Sequence, residues 1–274
     1  MHIKPNIQII DLALLVKDVL ILTDFHMGYE EARNKRGILL PRFQFKDTME
    51  RLKRIFEYTS HNKIKINKIL INGDLKHEFG SISETEWRNI LLLIDYLRKH
   101  CKELIIIKGN HDMMLKPIID KRDIKLVDFY EIDNEYVDVN KKNKSDSTIV
   151  LHGDKIPTKK DKEMFEAYSK ANTIVMGNEH PAVSLKESKT SVRKEKCKCF
   201  LYGKFIDKTI KANKVKDLIV IPSFNLVTEG TDMLADRVLS PFLKQDLSDF
   251  KVWVVADKVY YFGEIGGLKI RTFI

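Results

Sequence analysis

Five short motifs along the chain each place a metal-ligand type of residue directly after an apolar run. They are Leu22-Thr23-Asp24-Phe25-His26, Ile71-Asn72-Gly73-Asp74, Lys108-Gly109-Asn110-His111-Asp112, Leu151-His152-Gly153-Asp154 and Met176-Gly177-Asn178-Glu179-His180-Pro181. The side chains on offer are carboxylates, imidazoles and amide oxygens, with no thiolate. That set favours a hard to borderline divalent ion, Mn²⁺, Fe²⁺ or Zn²⁺, over a structural zinc built from cysteine. Two such ions roughly 3.5–4 Å apart hold a phosphoryl oxygen, lower the pKa of a water and stabilise in-line displacement. One carboxylate must then serve both ions, because few protein ligands are available. In Asp24-Phe25-His26 and Asn178-Glu179-His180 the i, i+2 spacing turns both side chains one way if the backbone is extended.

Such residues need strand ends to gather them, since an α/β sheet collects functional side chains in the crevice beyond its carboxyl ends. Ile7–Val16 and Val19–Thr23 read as two β runs joined at Lys17-Asp18. A loop through Gly28, Gly37 and Pro41 precedes a helical pattern at Phe45–Thr59. Ile66–Ile71 and Leu104–Ile107 are short apolar runs that fit strands buried on both faces. Between them, Ser83 with Glu86 offers a capping pair for an amphipathic helix over Trp87–Cys101. Strands are predicted at Leu126–Val139, Thr148–Leu151, Ile174–Met176, Leu218–Ile221, Val252–Val255, Val259–Phe262 and Leu268–Phe273, and a helix at Lys160–Lys170. Asn140–Ser147 reads as a polar surface loop. Alternating strands and helices followed by more strands point to one layered α/β domain over residues 1–274.

The 274 residues are 43% hydrophobic and 32% charged, which excludes a disordered or collagen-like chain. Three cysteines fit a reducing compartment rather than a disulfide scaffold. Lys17 and Asp18 interrupt the most apolar stretch, Leu12–Leu22, so no membrane span is expected. No basic and apolar leader opens the sequence, and a soluble, cytoplasmic protein is expected. Of the net charge of +9, +8 falls within Lys186–Lys216, where eleven Lys and Arg face three Asp and Glu. That segment suits a polyanionic partner, although lysines protecting a strand edge would look the same. Within it, Cys197 and Cys199 alternate with Lys196 and Lys198, as in an edge strand with Cys inward and Lys outward.

Taken in order over residues 19–182, the motifs Asp-x-His, Gly-Asp, Gly-Asn-His-Asp, His-Gly and Gly-x-x-His resemble those of the calcineurin-like metallophosphoesterases. Within that superfamily the chain is similar to archaeal phosphoesterases and bacterial ligase-associated endonucleases of DNA repair. The stretches that carry this finer resemblance include Asp24–Glu30, Gly73–His77, Gly177–Pro181 and Ile221-Pro222-Ser223-Phe224-Asn225. The resemblance implies a four-layer α/β/β/α sandwich and two divalent ions, Mn²⁺ first, with Fe²⁺, Zn²⁺ or Ni²⁺ as other candidates. Asp24, His26 and His180 would hold the first ion, Asp74 would bridge, and Asn110 and His152 would hold the second. His111 would sit by the scissile phosphate, stabilising charge or protonating the leaving oxygen. Asp112 would orient the turn or an imidazole beside it. The family pattern has a histidine where this chain has Asn178, and an amide oxygen ligates more weakly than imidazole. A weaker second site is therefore expected.

Outside the ligand set, Arg33, Lys35, Arg36 and Arg42 lie on the loop after the first motif, where they could grip substrate phosphates or equally form a merely solvated loop. His77 reads as a substrate contact, an outer support for a ligand or a turn residue. The remaining histidines, His2, His61 and His100, read as surface residues. The expected reaction is metal-dependent phosphodiester hydrolysis by an activated water, with DNA in repair or processing as the first substrate class. DNA-repair proteins are the matching partners. Two other readings stand beside it: a phosphodiesterase or phosphatase for cyclic or dinucleotides, and a nucleic-acid-binding protein whose activity Asn178 has weakened.

Overall fold

The first 22 residues form a meander, because short polar turns separate strands that are each almost wholly buried. In the computed structural model, which describes residues 1–78, 83–134, 146–186, 194–210 and 214–272, β1 (His2–Lys4), β2 (Ile7–Ile10), β3 (Ala13–Val16) and β4 (Val19–Leu22) pair antiparallel in order. The run read as one strand, Ile7–Val16, is therefore two. Asp11 turns the chain at φ 56°, and Leu12 is itself buried, so the apolar pattern continues through the hairpin without a visible break.

Next come α1 (Tyr29–Lys35) and α2 (Gln44–His61). The segment after Asp24 was expected to be loop; α1 has seven residues, too few to print a helical period. β5 (Lys68–Asn72), α3 (Glu84–Arg98), β6 (Glu103–Ile107), α4 (Lys116–Arg122) and β7 (Lys125–Val127) then extend the sheet with parallel strands, Leu22 facing Ile71 and Ile71 facing Ile106. The predicted cap is present: Ser83 Oγ accepts from Glu86 N while the Glu86 carboxylate accepts from Ser83 N. Such a box is worth about 1 kcal/mol.

A second sheet begins with β8 (Phe129–Asn134) and β9 (Asp146–Leu151), followed by α5 (Lys162–Lys170), β10 (Thr173–Met176), β11 (Pro181–Lys186), β12 (Lys194–Asp207), β13 (Lys214–Val220) and β14 (Thr231–Asp232). β15 (Lys251–Val255), β16 (Val259–Glu264) and α6 (Ile265–Thr272) close the fold. The predicted strand Leu126–Val139 divides between β7 and β8, in different sheets, and its last five residues lie outside the described residues. Most of the predicted loop Asn140–Ser147 also lies outside them; Asp146 and Ser147 belong to β9. The predicted strand Leu268–Phe273 is a helix over its described part, because a short apolar run carries no period that separates the two states.

β12 corrects another expectation. It is an edge only in part: among the described residues Lys194–Lys198 pair with β11 alone, whereas β15 and β13 pair with it from Cys199 onward. Cys199 and Leu201 face a core under α5 and α6, whereas Phe200 faces the core shared by the two sheets. By the same alternation Lys198 points between the sheets rather than outward. The layers are thus α/β/β/α, as the family resemblance implied. Leu20 and Ile21 of one sheet and Val150, Val175 and Ile219 of the other belong to a single apolar cluster. Among the described residues no helix is long and apolar enough to cross a membrane.

Candidate metal centre

All five motifs lie at the carboxyl ends of β4, β5, β6, β9 and β10, strands with parallel neighbours in the two sheets. The i, i+2 pairs do not converge by extended alternation. Asp24 (φ 53°), His26 (45°), Asp74 (47°), Asn178 (60°) and His180 (52°) are all left-handed, and the chain curls to bring their side chains inward. That conformation costs a non-glycine residue on the order of 1 kcal/mol or more. Two glycines make the close approach possible. A Cβ on Gly73 would stand 2.1 Å from His152 Nδ1, and one on Gly109 would stand 2.2 Å from Asp74 Oδ1.

Asp74 is the centre of the arrangement. Its Oδ2 lies 3.6 Å from His26 Nε2, 3.5 Å from His152 Nε2 and 3.9 Å from His111 Nε2. On one side His180 Nε2 is 3.3 Å from both Asp24 Oδ1 and His26 Nε2. On the other, Asn110 Oδ1 is 2.9 Å from His152 Nε2. Asp24 also reaches the second side, its Oδ1 3.8 Å from His152 Nδ1. Two groups therefore qualify as cation holders, Asp24–His26–His180 and Asp24–Asp74–His152.

The orientation of Asp24 tests whether ions fit. Its Oδ2 accepts from Thr23 Oγ1 (2.7 Å) and from Asn178 N (3.0 Å), which aims Oδ1 into the cluster. Among the described residues that buried Oδ1 has no hydrogen-bond partner, the condition a divalent cation would relieve. Charge agrees with geometry. Burial alone would raise the Asp24 carboxyl, but His180, His152 and His26 outweigh it and hold the group low. His26 is pushed down to about 3 by burial and by His180. Against the same burial, the Asp74 hydrogen bond and the Asp24 charge lift His152 to about 9.

His111 and Asp112 divide their tasks. His111 N donates to Asp74 Oδ1 (2.9 Å), and the His111 Nδ1–H donates to the His77 carbonyl oxygen (2.5 Å). Asp112 is buried and accepts from Gly109 N (3.0 Å) and Leu75 N (3.1 Å), so its carboxylate clamps the turn that carries Asn110 and His111. Burial and the Asp74 charge push Asp112 up to about 7.

His77 joins the cluster, its Nδ1 3.4 Å from His26 Nδ1, and forms a third group with His26 and His111. Burial and His111 lower it to about 4. Arg36 stands at the rim, 3.9 Å from the Glu78 carboxylate. Arg42 is not brought to the centre; it lines a separate small hollow with Met27, Glu30 and Glu31. Arg33 and Lys35 are on α1, with Lys35 3.4 Å from Glu31. His100 is half-buried and stacks on Phe56 at 3.8 Å between ring centroids, which corrects its reading as a surface residue.

Sequence reasoning missed the supports. Gln44 Nε2 donates to the carbonyls of Phe25 and His26, and Asn225 N donates to that of Asp24. Lys198 was read as outward; its Nζ donates to Ser223 Oγ at 2.8 Å. The stretch Ile221–Asn225 was visible as a motif, but its partners come from another sheet. The basic segment is also less uniform than its composition. Lys204 pairs with Asp217, Lys196 with Asp236, and Lys214 and Lys216 cap the last carbonyls of α5. Residues 187–193 and 211–213 of that segment lie outside the described residues.

No curated protein matches the sequence. Among solved structures, the fold resembles the nuclease MPE of Pseudomonas putida, with 15% identity and a TM-score of 0.56 over 93% of each chain. Lower similarity extends to the Aquifex aeolicus protein AQ665 (15%, TM-score 0.33, 58% of this chain and 77% of that one). Vps29 of Entamoeba histolytica in complex with zinc is comparable (13%, TM-score 0.34, 89% and 98%). The family model for calcineurin-like phosphoesterases matches residues 17–246, a span that contains all five motifs. The chain belongs to the calcineurin-like phosphoesterase family and is a metal-dependent phosphoester hydrolase.

Proposed function

We propose that the chain is a phosphodiesterase with a dinuclear divalent-metal centre, that Mn²⁺ serves it best, and that its substrate is DNA in a cytoplasmic repair or processing role. The observation that carries the dinuclear reading is the position of Asp74 Oδ2 between His26 Nε2 (3.6 Å) and His152 Nε2 (3.5 Å). Asp24, His26 and His180 would hold one ion, Asn110 and His152 the other, with Asp74 shared and Asn178 a weaker donor beside them. Bound there, the ions polarise the phosphoryl oxygens and lower the pKa of the attacking water. His111 directs Nε2 toward the same space, where it steadies negative charge or hands a proton to the leaving oxygen. Asp24, His26, Asp74 and His152 are buried, while Asn110 is exposed and His180 partly so, which leaves that side of the cluster open to substrate.

The substrate class is supported by the fold shared with the Pseudomonas putida nuclease and by the charge concentrated in Lys186–Lys216. Metal-stripped protein reloaded with Mn²⁺ should hydrolyse bis(p-nitrophenyl) phosphate, and Asp74→Ala should abolish that activity. A panel of single- and double-stranded DNA, RNA, cyclic nucleotides and phosphomonoesters then tests the class. Turnover of cyclic nucleotides without cleavage of any DNA would replace the nuclease reading with the small-molecule one.

A further inference from the structure

The turn that carries Asp24 and His26 also anchors a projecting loop. Gln44 Nε2 donates to the carbonyls of Phe25 (3.1 Å) and His26 (2.8 Å), and Tyr29 N donates to the His26 carbonyl (3.1 Å). The Glu30 carboxylate of α1 accepts from Phe43 N (3.0 Å) and Gln44 N (2.9 Å), which ties the start of α2 to α1. Residues 36–43 therefore leave and rejoin the molecule beside the metal centre. Asn34 closes the loop from within: its Nδ2 donates to the Leu40 carbonyl (3.0 Å) and its Oδ1 accepts from Leu40 N (2.6 Å). Ile38 N donates back to the Arg33 carbonyl (3.0 Å), and Gly37 takes the left-handed turn at φ 83°. These bonds brace the loop.

Its tip holds apolar side chains outward. Leu39 is 88% exposed, Phe43 57% and Ile38 43%, and among the described residues none of the three joins either apolar cluster. Single exposed apolar residues are ordinary, but three within six positions on a braced loop mark a contact surface. Residues 32–46 contain five Lys and Arg and no Asp or Glu. Acids of neighbouring segments approach some of them: Glu31 stands 3.4 Å from Lys35, Glu78 3.9 Å from Arg36 and Glu50 3.8 Å from Lys46. Such exposed pairs are worth little and yield readily to a phosphate. The core of a protein–protein contact is poor in charge, whereas apolar side chains flanked by cations are how proteins pry base steps of DNA apart. α1 has seven residues and a length of about 10 Å, so the tip lies about three base steps of a duplex from the metal turn.

We propose that the loop 36–43 is a wedge for double-stranded DNA: Ile38 and Leu39 enter the base stack near the scissile phosphate, and the cations around them hold the flanking phosphates. This rests on the reading of the chain as a DNA phosphodiesterase and deepens it: the enzyme itself opens paired DNA before cutting it. Neither Ile38 nor Leu39 takes part in the bond-breaking step.

The test compares a paired DNA duplex, the same duplex with a short unpaired bubble, one of its strands alone and bis(p-nitrophenyl) phosphate, all with Mn²⁺. Wild type should cut the paired duplex. Ile38→Ser combined with Leu39→Ser should lower kcat/KM on that duplex about tenfold or more, in keeping with the cost of unstacking a base step. On the bubble, the single strand and bis(p-nitrophenyl) phosphate no stack needs opening, and the same variant should stay within about twofold of wild type. Leu39→Met should retain the duplex rate. Undiminished duplex cleavage by the double variant overturns the wedge, and a loss of self-association in light scattering would then make the loop a contact between copies. Equal loss on all the substrates also overturns it, because the loop would then only support the metal turn. So does a wild type that cuts single strands but no paired duplex. Each of these results leaves the phosphodiesterase reading standing. Turnover of bis(p-nitrophenyl) phosphate without cleavage of any DNA overturns the DNA reading and the wedge together.

Discussion

The Nδ1–H of His111 donates to the carbonyl oxygen of His77 at 2.5 Å, and this fixes which ring nitrogen His111 presents to the metal centre. With Nδ1 engaged there, Nε2 is the nitrogen that faces Asp74, 3.9 Å away. His111→Gln keeps a polar group of similar reach but cannot exchange a proton near neutral pH. Its kcat should fall by about 10²–10³, while calorimetry on metal-stripped protein should show metal affinity unchanged. Loss of metal binding in this variant would make His111 a ligand instead.

Gly109 leaves the room that Asp74 needs. A methyl at 2.2 Å from Asp74 Oδ1 cannot coexist with the present carboxylate position. Gly109→Ala should weaken metal binding by at least about tenfold, with far-ultraviolet circular dichroism close to wild type. Unchanged affinity would mean that the turn relaxes and that Asp74 is not held there.

At Asn178 the backbone is left-handed, a conformation that asparagine and histidine both tolerate better than most residues. Its N–H bond to Asp24 Oδ2 does not depend on the side chain. Asn178→His should therefore tighten the weaker of two metal sites by about tenfold and leave the tighter one unaltered. Two wild-type sites of equal affinity in calorimetry would show that Asn178 carries no handicap.

The carboxylates of Asp24 and Asp74 stabilise a proton on His152 in the metal-free protein and raise it to about 9, above its ordinary value of 6.5. The sign follows: this residue stabilises the metal-free fold fully below pH 6.5, and the contribution is lost as pH rises through about 9. A metal ion must displace that proton. Histidine-ring NMR of stripped protein should place the His152 titration near pH 9, and metal added at pH 8 should release about one proton from it. A titration at or below 6.5 would refute the assignment.

Asp112 should act on the fold of its turn. Asp112→Asn sets an amide N–H against the N–H of Gly109 or Leu75, at a cost of roughly 1–3 kcal/mol in urea denaturation. Metal affinity should weaken with it, unlike in His111→Gln. A variant of wild-type stability with reduced kcat alone would give Asp112 a direct part in the chemistry.

The motif residues that meet in the cluster were legible in the sequence because each motif is local. An apolar run, a short turn and a polar side chain specify a strand end without help from the rest of the chain. The capping pair Ser83–Glu86 and the strands β5 and β6 were readable for the same reason. What only the tertiary structure decided depends on partners distant in sequence. Strand alternation predicts that Cys199 and Lys198 face opposite ways, but which way is inward depends on the layers that pack on β12; both of its faces are covered, and Lys198 turns toward the metal end. The left-handed turns at Asp24, His26 and His180 belong to the same class. Each is strained by itself and persists because other segments hold it: Asn178 and Asn225 bond Asp24, Gln44 bonds the His26 carbonyl and Thr231 bonds the His180 carbonyl.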